Sequence, residues 1–204
     1  MIVIVDYGMG NLKSVYNAFC SIDADVKVSS DPRDVEKAER IILPGVGAFG
    51  DAMGELASRN LIVPIMEAID KKTPFLGICL GLQLLYKGSE EDPGVAGLGY
   101  FDDTITKFSF DTSVERLKVP HMGWNDITLQ NSECPLMKGI SNNTFYYFVH
   151  SYYARANDNI TLATANYGIQ FSAMVWKDNV FAAQFHPEKS QNVGLTILKN
   201  FMEI

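Results

Sequence analysis

Thr73-Pro74-Phe75-Leu76-Gly77-Ile78-Cys79-Leu80-Gly81-Leu82-Gln83-Leu84-Leu85 is the stretch on which the fold turns. The apolar run Phe75 to Ile78 reads as a buried strand, and Leu80 to Tyr86 as the start of a helix. Between them, Gly77-Ile78-Cys79-Leu80-Gly81 is a cysteine version of the Gly-x-Ser-x-Gly nucleophile elbow. Strand and helix approach closely at such a turn, and a Cβ at either glycine would clash. The turn presents the thiol at a helix N-terminus, where free backbone N–H groups and the helix dipole favour thiolate. Free cysteine is otherwise usually a small buried hydrophobe. Cys20, on an amphipathic helix, and Cys134, in a polar Ser-Glu-Cys-Pro turn, take that ordinary structural reading.

Working outward, the first half of the chain alternates strand and helix patterns. Ile2 to Val5 is continuously apolar, as in a strand buried on both faces. Gly8-Met9-Gly10-Asn11 is a turn with Asn11 as a cap, and the next helix places Leu12, Val15, Tyr16, Phe19 and Ile22 on one face. Asp25 to Val28 is a second strand; Asp31-Pro32-Arg33-Asp34 opens a short helix with Pro32 in its first position. Arg40 to Leu43 is the third strand and Phe75 to Ile78 the fourth. Strands separated by helices imply right-handed βαβ units and an open parallel sheet.

After about Gly94 short β-rich runs take over: Thr104–Phe108, Asp126–Leu129, Phe145–Val149, Thr161–Asn166, Phe171–Trp176 and Val180–Phe185. Turn residues separate them, as in hairpins or a mixed extension of the sheet. A last helix, Asn192 to Phe201, returns to the sheet. The expected fold class is α/β, an open and mostly parallel central sheet flanked by helices, with a β-rich second half. Residues 1–204 show no repeat, linker or low-complexity segment, and one domain is expected.

The chain has 204 residues, 47% hydrophobic and 20% charged, the composition of a globular protein with a sizeable core. A formal charge of −7 and the lack of any basic run argue against a nucleic-acid partner. Three cysteines without framework spacing suit a reducing compartment. Met1-Ile2-Val3-Ile4-Val5-Asp6 has no basic flank and is too short for a signal peptide. No stretch reaches the roughly 18 apolar residues a membrane span requires. The expected location is the cytoplasm.

A thiol nucleophile needs a base, and the base needs a group to orient it. Of the three histidines, His121, His150 and His186, only His186 follows an alternating strand and opens a His186-Pro187-Glu188 sequence. Pro187 biases His186 toward an extended conformation. Residues two apart in an extended segment project to one side, which brings Glu188 to the imidazole. Leu43-Pro44-Gly45-Val46-Gly47-Ala48-Phe49-Gly50 formally contains the Gly-x-Gly-x-x-Gly dinucleotide fingerprint. It follows the third strand rather than the first, however. The region about 20 residues on, Asn60 to Lys72, holds Glu67 and Asp70 on an amphipathic helix instead of at a strand end. The better reading is a flexible loop whose backbone N–H groups, with that of Leu80, form an oxyanion hole. A plain tight turn stays open beside it.

Gly77-Ile78-Cys79-Leu80-Gly81-Leu82-Gln83, followed about a hundred residues later by Phe185-His186-Pro187-Glu188-Lys189-Ser190, resembles the class I (triad-type) glutamine amidotransferases of flavodoxin-like fold. Further segments are Val5-Asp6-Tyr7-Gly8-Met9-Gly10-Asn11-Leu12, Leu43 to Gly50, Pro120-His121-Met122-Gly123-Trp124-Asn125 and Phe148-Val149-His150-Ser151-Tyr152. Together they are similar, over nearly the whole chain, to the glutaminase subunits of imidazole glycerol phosphate synthase, in histidine biosynthesis. Met9 stands where some members have proline.

The resemblance implies hydrolysis of L-glutamine by a Cys79, His186, Glu188 triad, with Leu80, Val46 and Gly47 supplying the oxyanion hole. It implies that Gln83, Glu91, Ser151 and Tyr152 contact the substrate. Asn11, Trp124, Tyr147 and Lys189 match positions at or near a partner interface. No metal or cofactor is implied. Gln83 facing solvent, Glu91 in a solvated acidic turn, and Trp124 and Tyr147 as core aromatics are the structural alternatives; His121 and His150 are read as supporting residues.

Free ammonia in neutral water is mostly protonated and no longer nucleophilic, so its release calls for a closed path to an acceptor site. The chain offers no Walker loop and no accepted nucleotide fingerprint. The implied partner is a cyclase subunit with a (β/α)₈ barrel, in a heterodimer. Open alternatives are a paralogue feeding another synthase, for instance in surface-sugar amidation, a cysteine peptidase or chaperone-like relative, and a catalytically silent subunit.

Overall fold

The computed structural model describes residues 1–110 and 117–204. The first half runs β1 (Ile2–Val5), α1 (Leu12–Cys20), β2 (Val26–Ser29), α2 (Pro32–Glu36), β3 (Arg40–Gly45), α3 (Phe49–Ser58), α4 (Ile62–Asp70), β4 (Phe75–Cys79) and α5 (Leu80–Leu84). The second half adds β5 (Tyr86–Ser89), β6 (Phe101–Lys107), β7 (His121–Leu129), β8 (Thr144–His150), β9 (Tyr152–Tyr153), β10 (Thr161–Tyr167), β11 (Ile169–Lys177), β12 (Val180–Ala183) and α6 (Gln191–Glu203).

Nine strands form one sheet in the order β2-β1-β3-β4-β12-β11-β10-β7-β8. The pairings from β2 through β12 are parallel and those beyond are antiparallel. The β-rich second half is therefore largely an extension of the same sheet. Its β12 returns to the parallel part and inserts beside β4. A small second sheet, β5-β6-β9, lies apart from it.

Parallel strands are covered on both faces, which is why β1 and β4 are apolar at every position. Side-chain alternation splits them between two cores. Ile2, Ile4, Leu76 and Ile78 meet Val15 and Phe19 of α1 and Ile197, Leu198 and Phe201 of α6. Val3, Val5, Leu43 and Phe75 meet Val35 of α2, Phe49 and Leu56 of α3, and Ile65 and Ile69 of α4. Asn11 caps α1 by accepting from the Ser14 N–H at 3.3 Å, and Pro32 opens α2 behind an Asp31 cap, both as the sequence indicates.

Four local expectations are corrected. Tyr86 does not continue α5: the helix ends at Leu84, and buried Tyr86 starts β5. Tyr16 faces solvent, because α1 buries the narrower stripe Val15, Ala18 and Phe19. Cys20, at the end of α1, is exposed rather than buried. The ladder of β12 ends at Ala183, so Gln184 and Phe185 lie beyond it.

Candidate active site

The sheet's carboxyl edge gathers three chain ends. In register, Gly45 at the end of β3 pairs with Cys79 at the end of β4, and Ala183 at the end of β12 pairs with Ile78. The loop after β3, the cysteine and the segment leading to His186 thus meet along one edge, where open α/β sheets bind ligands.

Cys79 makes the elbow with φ 55° and ψ −107°. A non-glycine residue in such a region costs about 1–3 kcal/mol, a strain typical of functional sites. The glycines permit it: a Cβ on Gly77 would stand 2.8 Å from the Gly81 carbonyl oxygen, and one on Gly81 would collide with the Leu43 carbonyl. Cys79 is 6% exposed and lines a cavity of ≈ 340 Å³, within the range expected for small-molecule sites.

His186 lines the same cavity. Its Nδ1 is 2.8 Å from Glu188 Oε1, with both side chains almost completely buried. The contact arises differently from the expectation. His186 is extended, but Pro187–Lys189 is a turn of 3₁₀ helix, and this turn swings the carboxylate back onto the ring. The turn is fastened to β8: the His186 N–H donates to the Tyr147 carbonyl at 2.9 Å. The Ser190 hydroxyl donates to the His186 carbonyl and accepts the Tyr147 N–H. Burial by itself depresses the imidazolium pKa; Cys79 and Glu188 outweigh it and raise the value to about 10. Cys79 is the first of the groups that raise it, although among the described residues the buried His186 Nε2 completes no hydrogen bond.

Val46, Gly47, Leu80, Gln83, Glu91, Ser151 and Tyr152 all line the cavity. Gly47 has φ +102°, which a side chain rarely adopts, and a Cβ there would sit 2.6 Å from Met9 Cε. Tyr7 donates its hydroxyl to the Pro44 carbonyl at 2.9 Å and anchors the start of the loop. Gln83 is 5% exposed rather than solvent-facing, and its Nε2 donates to the Tyr152 carbonyl at 3.1 Å. Glu91 is no free acidic turn: one carboxylate oxygen accepts the Phe49 N–H at 2.9 Å.

His121 and His150 hold the wall carrying Ser151 and Tyr152. His150 Nδ1 lies 2.8 Å from the Tyr152 carbonyl, and its Nε2 lies 2.9 Å from His121 Nδ1. A carbonyl only accepts, so His150 donates through Nδ1 and accepts at Nε2 from His121. Burial lowers both pKa values, to about 4 for His121 and about 3 for His150, which keeps this chain neutral.

Trp124 and Tyr147 are paired across β7 and β8 with ring centroids 6.2 Å apart, and the Lys189 ammonium lies 5.9 Å from the Tyr147 ring centre. Trp124 is 47% exposed, so it is no core aromatic. Met122 on β7 and Phe145 on β8 are exposed as well, and so are Val46 and Val119 outside the strands. Asn11 is exposed at the start of α1, which packs against the 187–189 turn. Gln184, to which the sequence drew no attention, is fully buried with Nε2 3.8 Å from Cys79 Sγ. The available signal was a lone amide in the apolar run Val180-Phe181-Ala182-Ala183-Gln184-Phe185.

The chain has full-length relatives among known proteins. Imidazole glycerol phosphate synthase subunit HisH of Syntrophotalea carbinolica is 50% identical over 204 residues, covering 98% of each chain. The HisH subunit of Geobacter sulfurreducens is 46% identical, covering 100% of this chain and 98% of its own. A crystal structure of a glutamine amidotransferase superposes with a TM-score of 0.76 at 17% identity, covering 100% of this chain and 98% of the other, a likeness of fold. The model of the family described as glutamine amidotransferase class-I matches residues 3–204. The chain belongs to the class-I glutamine amidotransferases.

Proposed function

We propose that residues 1–204 act as one domain that hydrolyses L-glutamine with Cys79 as nucleophile, His186 as acid and base, and Glu188 as the group that orients His186. The enzyme is a glutaminase of histidine biosynthesis that supplies ammonia to the making of imidazole glycerol phosphate. The observation carrying the mechanism is the meeting of an elbow cysteine with a buried His186–Glu188 pair at one cavity.

The Cys79 thiolate adds to the side-chain amide carbon of glutamine. The carbonyl oxygen becomes an oxyanion facing the backbone of Leu80 and of Val46-Gly47. His186 passes its Nε2 proton to the amide nitrogen, the C–N bond breaks, and ammonia leaves. Water then attacks the γ-glutamyl thioester while His186 takes its proton, and glutamate departs with the thiolate restored. Loss of one oxyanion donor costs about 10²–10³ in rate. Gln83, Glu91, Ser151 and Tyr152 take the α-ammonium and α-carboxylate.

The chain works as a subunit, in the cytoplasm, beside a (β/α)₈-barrel cyclase that consumes the ammonia. Supporting this are the names of the relatives and the exposed apolar side chains Met122, Trp124 and Phe145 on the paired strands β7 and β8, where Lys189 meets Tyr147. Glycine at 47 makes a peptide flip in the oxyanion loop inexpensive, which suits activation by the partner. Among the described residues no helix is long and apolar enough to cross a membrane. The test is glutamate release from L-glutamine, with and without the barrel subunit and its ligand. Turnover that rises with the liganded partner and vanishes in Cys79→Ala supports the reading; turnover surviving that substitution overturns it.

A further inference from the structure

Gln184 lies behind Cys79, fully buried and outside the cavity wall. Its carboxamide is used at both ends. Nε2 is 3.8 Å from Cys79 Sγ, and Oε1 accepts from Gln83 Nε2 at 3.1 Å. The second proton of Gln83 Nε2 goes to the Tyr152 carbonyl, also at 3.1 Å. A carboxamide nitrogen has two protons. Both are therefore committed, and the part of the Gln83 amide left for the cavity is its carbonyl oxygen.

The two amides cannot be turned over independently. Reversing Gln184 would set its oxygen against sulfur and its NH₂ against the NH₂ of Gln83, two repulsive contacts. A negative sulfur at position 79 thus selects the orientation of Gln184, and Gln184 selects that of Gln83. The other groups about the sulfur are the Val149 carbonyl at 3.9 Å, the His186 ring, and the Tyr7 phenol, whose pKa is raised by burial and by Cys79. Of these neighbours His186 is the charge partner, and Gln184 is the neutral donor with a second contact reaching a substrate-facing residue.

We propose that Gln184 is a positioning residue that donates to the Cys79 sulfur and locks the Gln83 amide, so that a carbonyl rather than an NH₂ group meets the substrate α-ammonium. The inference rests on the reading of Cys79 as nucleophile and of Gln83 as a substrate contact. It makes the nucleophile and the ammonium site one hydrogen-bonded unit and gives the enzyme a means of preferring free glutamine over amides lacking the α-amine. A carboxylate favoured by hydrogen bonds is the better-known case; a thiolate gains by the same rule.

The test uses Gln184→Met, which keeps the volume without the hydrogen bonds, and Gln184→Glu, which keeps the shape and adds negative charge. Two readouts are taken: the rate of Cys79 alkylation by iodoacetamide at pH 7, which needs no glutamine, and kcat and KM for L-glutamine with the barrel partner. The Met variant should alkylate about tenfold more slowly, and the Glu variant more slowly still. KM in the Met variant should rise by about tenfold, the scale of one charge-assisted contact. If the Met variant fails to fold, the isosteric Glu variant decides on the same two readouts. Folded variants with wild-type alkylation and wild-type KM, changed only in melting temperature, would reduce Gln184 to packing and overturn the proposal. A wild-type Cys79 no more reactive than Cys134 would instead sink the nucleophile reading, and this inference with it.

Discussion

The Glu91 carboxylate accepts the Phe49 N–H at 2.9 Å, reaching across 42 residues of sequence to the start of α3. Asp92 beside it accepts the Gly50 N–H at 2.7 Å. Ala48 has no side chain able to cap this helix, so its first-turn donors are satisfied from a distant acidic turn. Because α3 begins where the Val46-Gly47 loop ends, the same clamp fixes one end of the loop proposed to face the oxyanion. Asp92→Ala should cost about 1 kcal/mol in urea unfolding, the scale of a lost cap. Glu91→Ala should lose a similar amount and raise the glutamine KM as well. An Asp92→Ala protein of wild-type stability would show that the cap is dispensable.

The three histidines divide by charge. His186 is held as an imidazolium by Cys79 and Glu188 against its burial, with a pKa raised to about 10, while burial lowers His121 to about 4 and His150 to about 3. Nitrogen-15 spectra at pH 7 should therefore show one charged ring and two neutral ones. The linkage signs are opposite. His186 has a folded pKa above its unfolded value of roughly 6.5, so its stabilising contribution is complete below that pH and is lost as pH rises toward 10. His121 and His150 have depressed values, so their contribution is complete above roughly 6.5 and is lost as pH falls toward 4 and 3. Unfolding free energy should peak near neutrality and fall on both sides; a monotonic rise from pH 5 to pH 9 would contradict the assignment.

Glu188 holds the His186 tautomer through a 2.8 Å contact between buried groups. Glu188→Gln keeps the shape but can offer an NH₂ group to Nδ1 and reverse the proton's place on the ring. By comparison with other triads, the rate should drop by roughly 10³–10⁴ with KM little changed. Steady-state kinetics of the partnered enzyme measures this, and a loss under tenfold would demote Glu188 to packing.

At the elbow, Gly81→Ala would drive a methyl into the Leu43 carbonyl, which belongs to the neighbouring strand of the sheet. Backbone cannot yield as a flexible side chain can. The variant should express as insoluble or loosely folded protein, detectable by lost near-ultraviolet circular dichroism. Gly54→Ala is the control: nothing lies within 4 Å of the added carbon, so the fold should be kept.

Much of this was legible in the sequence where local chemistry and position coincide. The apolar runs of β1 and β4 are buried on both sides, and that demand is visible in Ile2–Val5 and Phe75–Ile78 without any tertiary knowledge. The elbow was readable because Gly77 and Gly81 both stand where backbone approaches closely, at the Gly81 and Leu43 carbonyls respectively. Glu188 reached His186 as expected, but by a 3₁₀ turn, since the sequence rule concerned extended chain while Pro187 also starts tight helices well. Gln184 and the Glu91–Asp92 clamp were hidden for one shared reason. Their partners, Cys79, Gln83, Phe49 and Gly50, lie between 42 and 105 residues away, and only the sheet order brings them together. Tyr86 carried a helical pattern into a strand because its burial is satisfied against Phe101, whose ring centre is 5.1 Å away.

A glutamine-derived diazoketone offers the most direct trial of the whole account, since it alkylates a thiolate only from within a site that first holds the amino-acid end. With the barrel subunit and its ligand present, peptide mass spectrometry should find one adduct, on Cys79, formed in step with loss of glutaminase activity and prevented by excess L-glutamine. Labelling of exposed Cys20 alone, or labelling of Cys79 that glutamine does not prevent, would contradict a glutamine site built on Cys79 and His186.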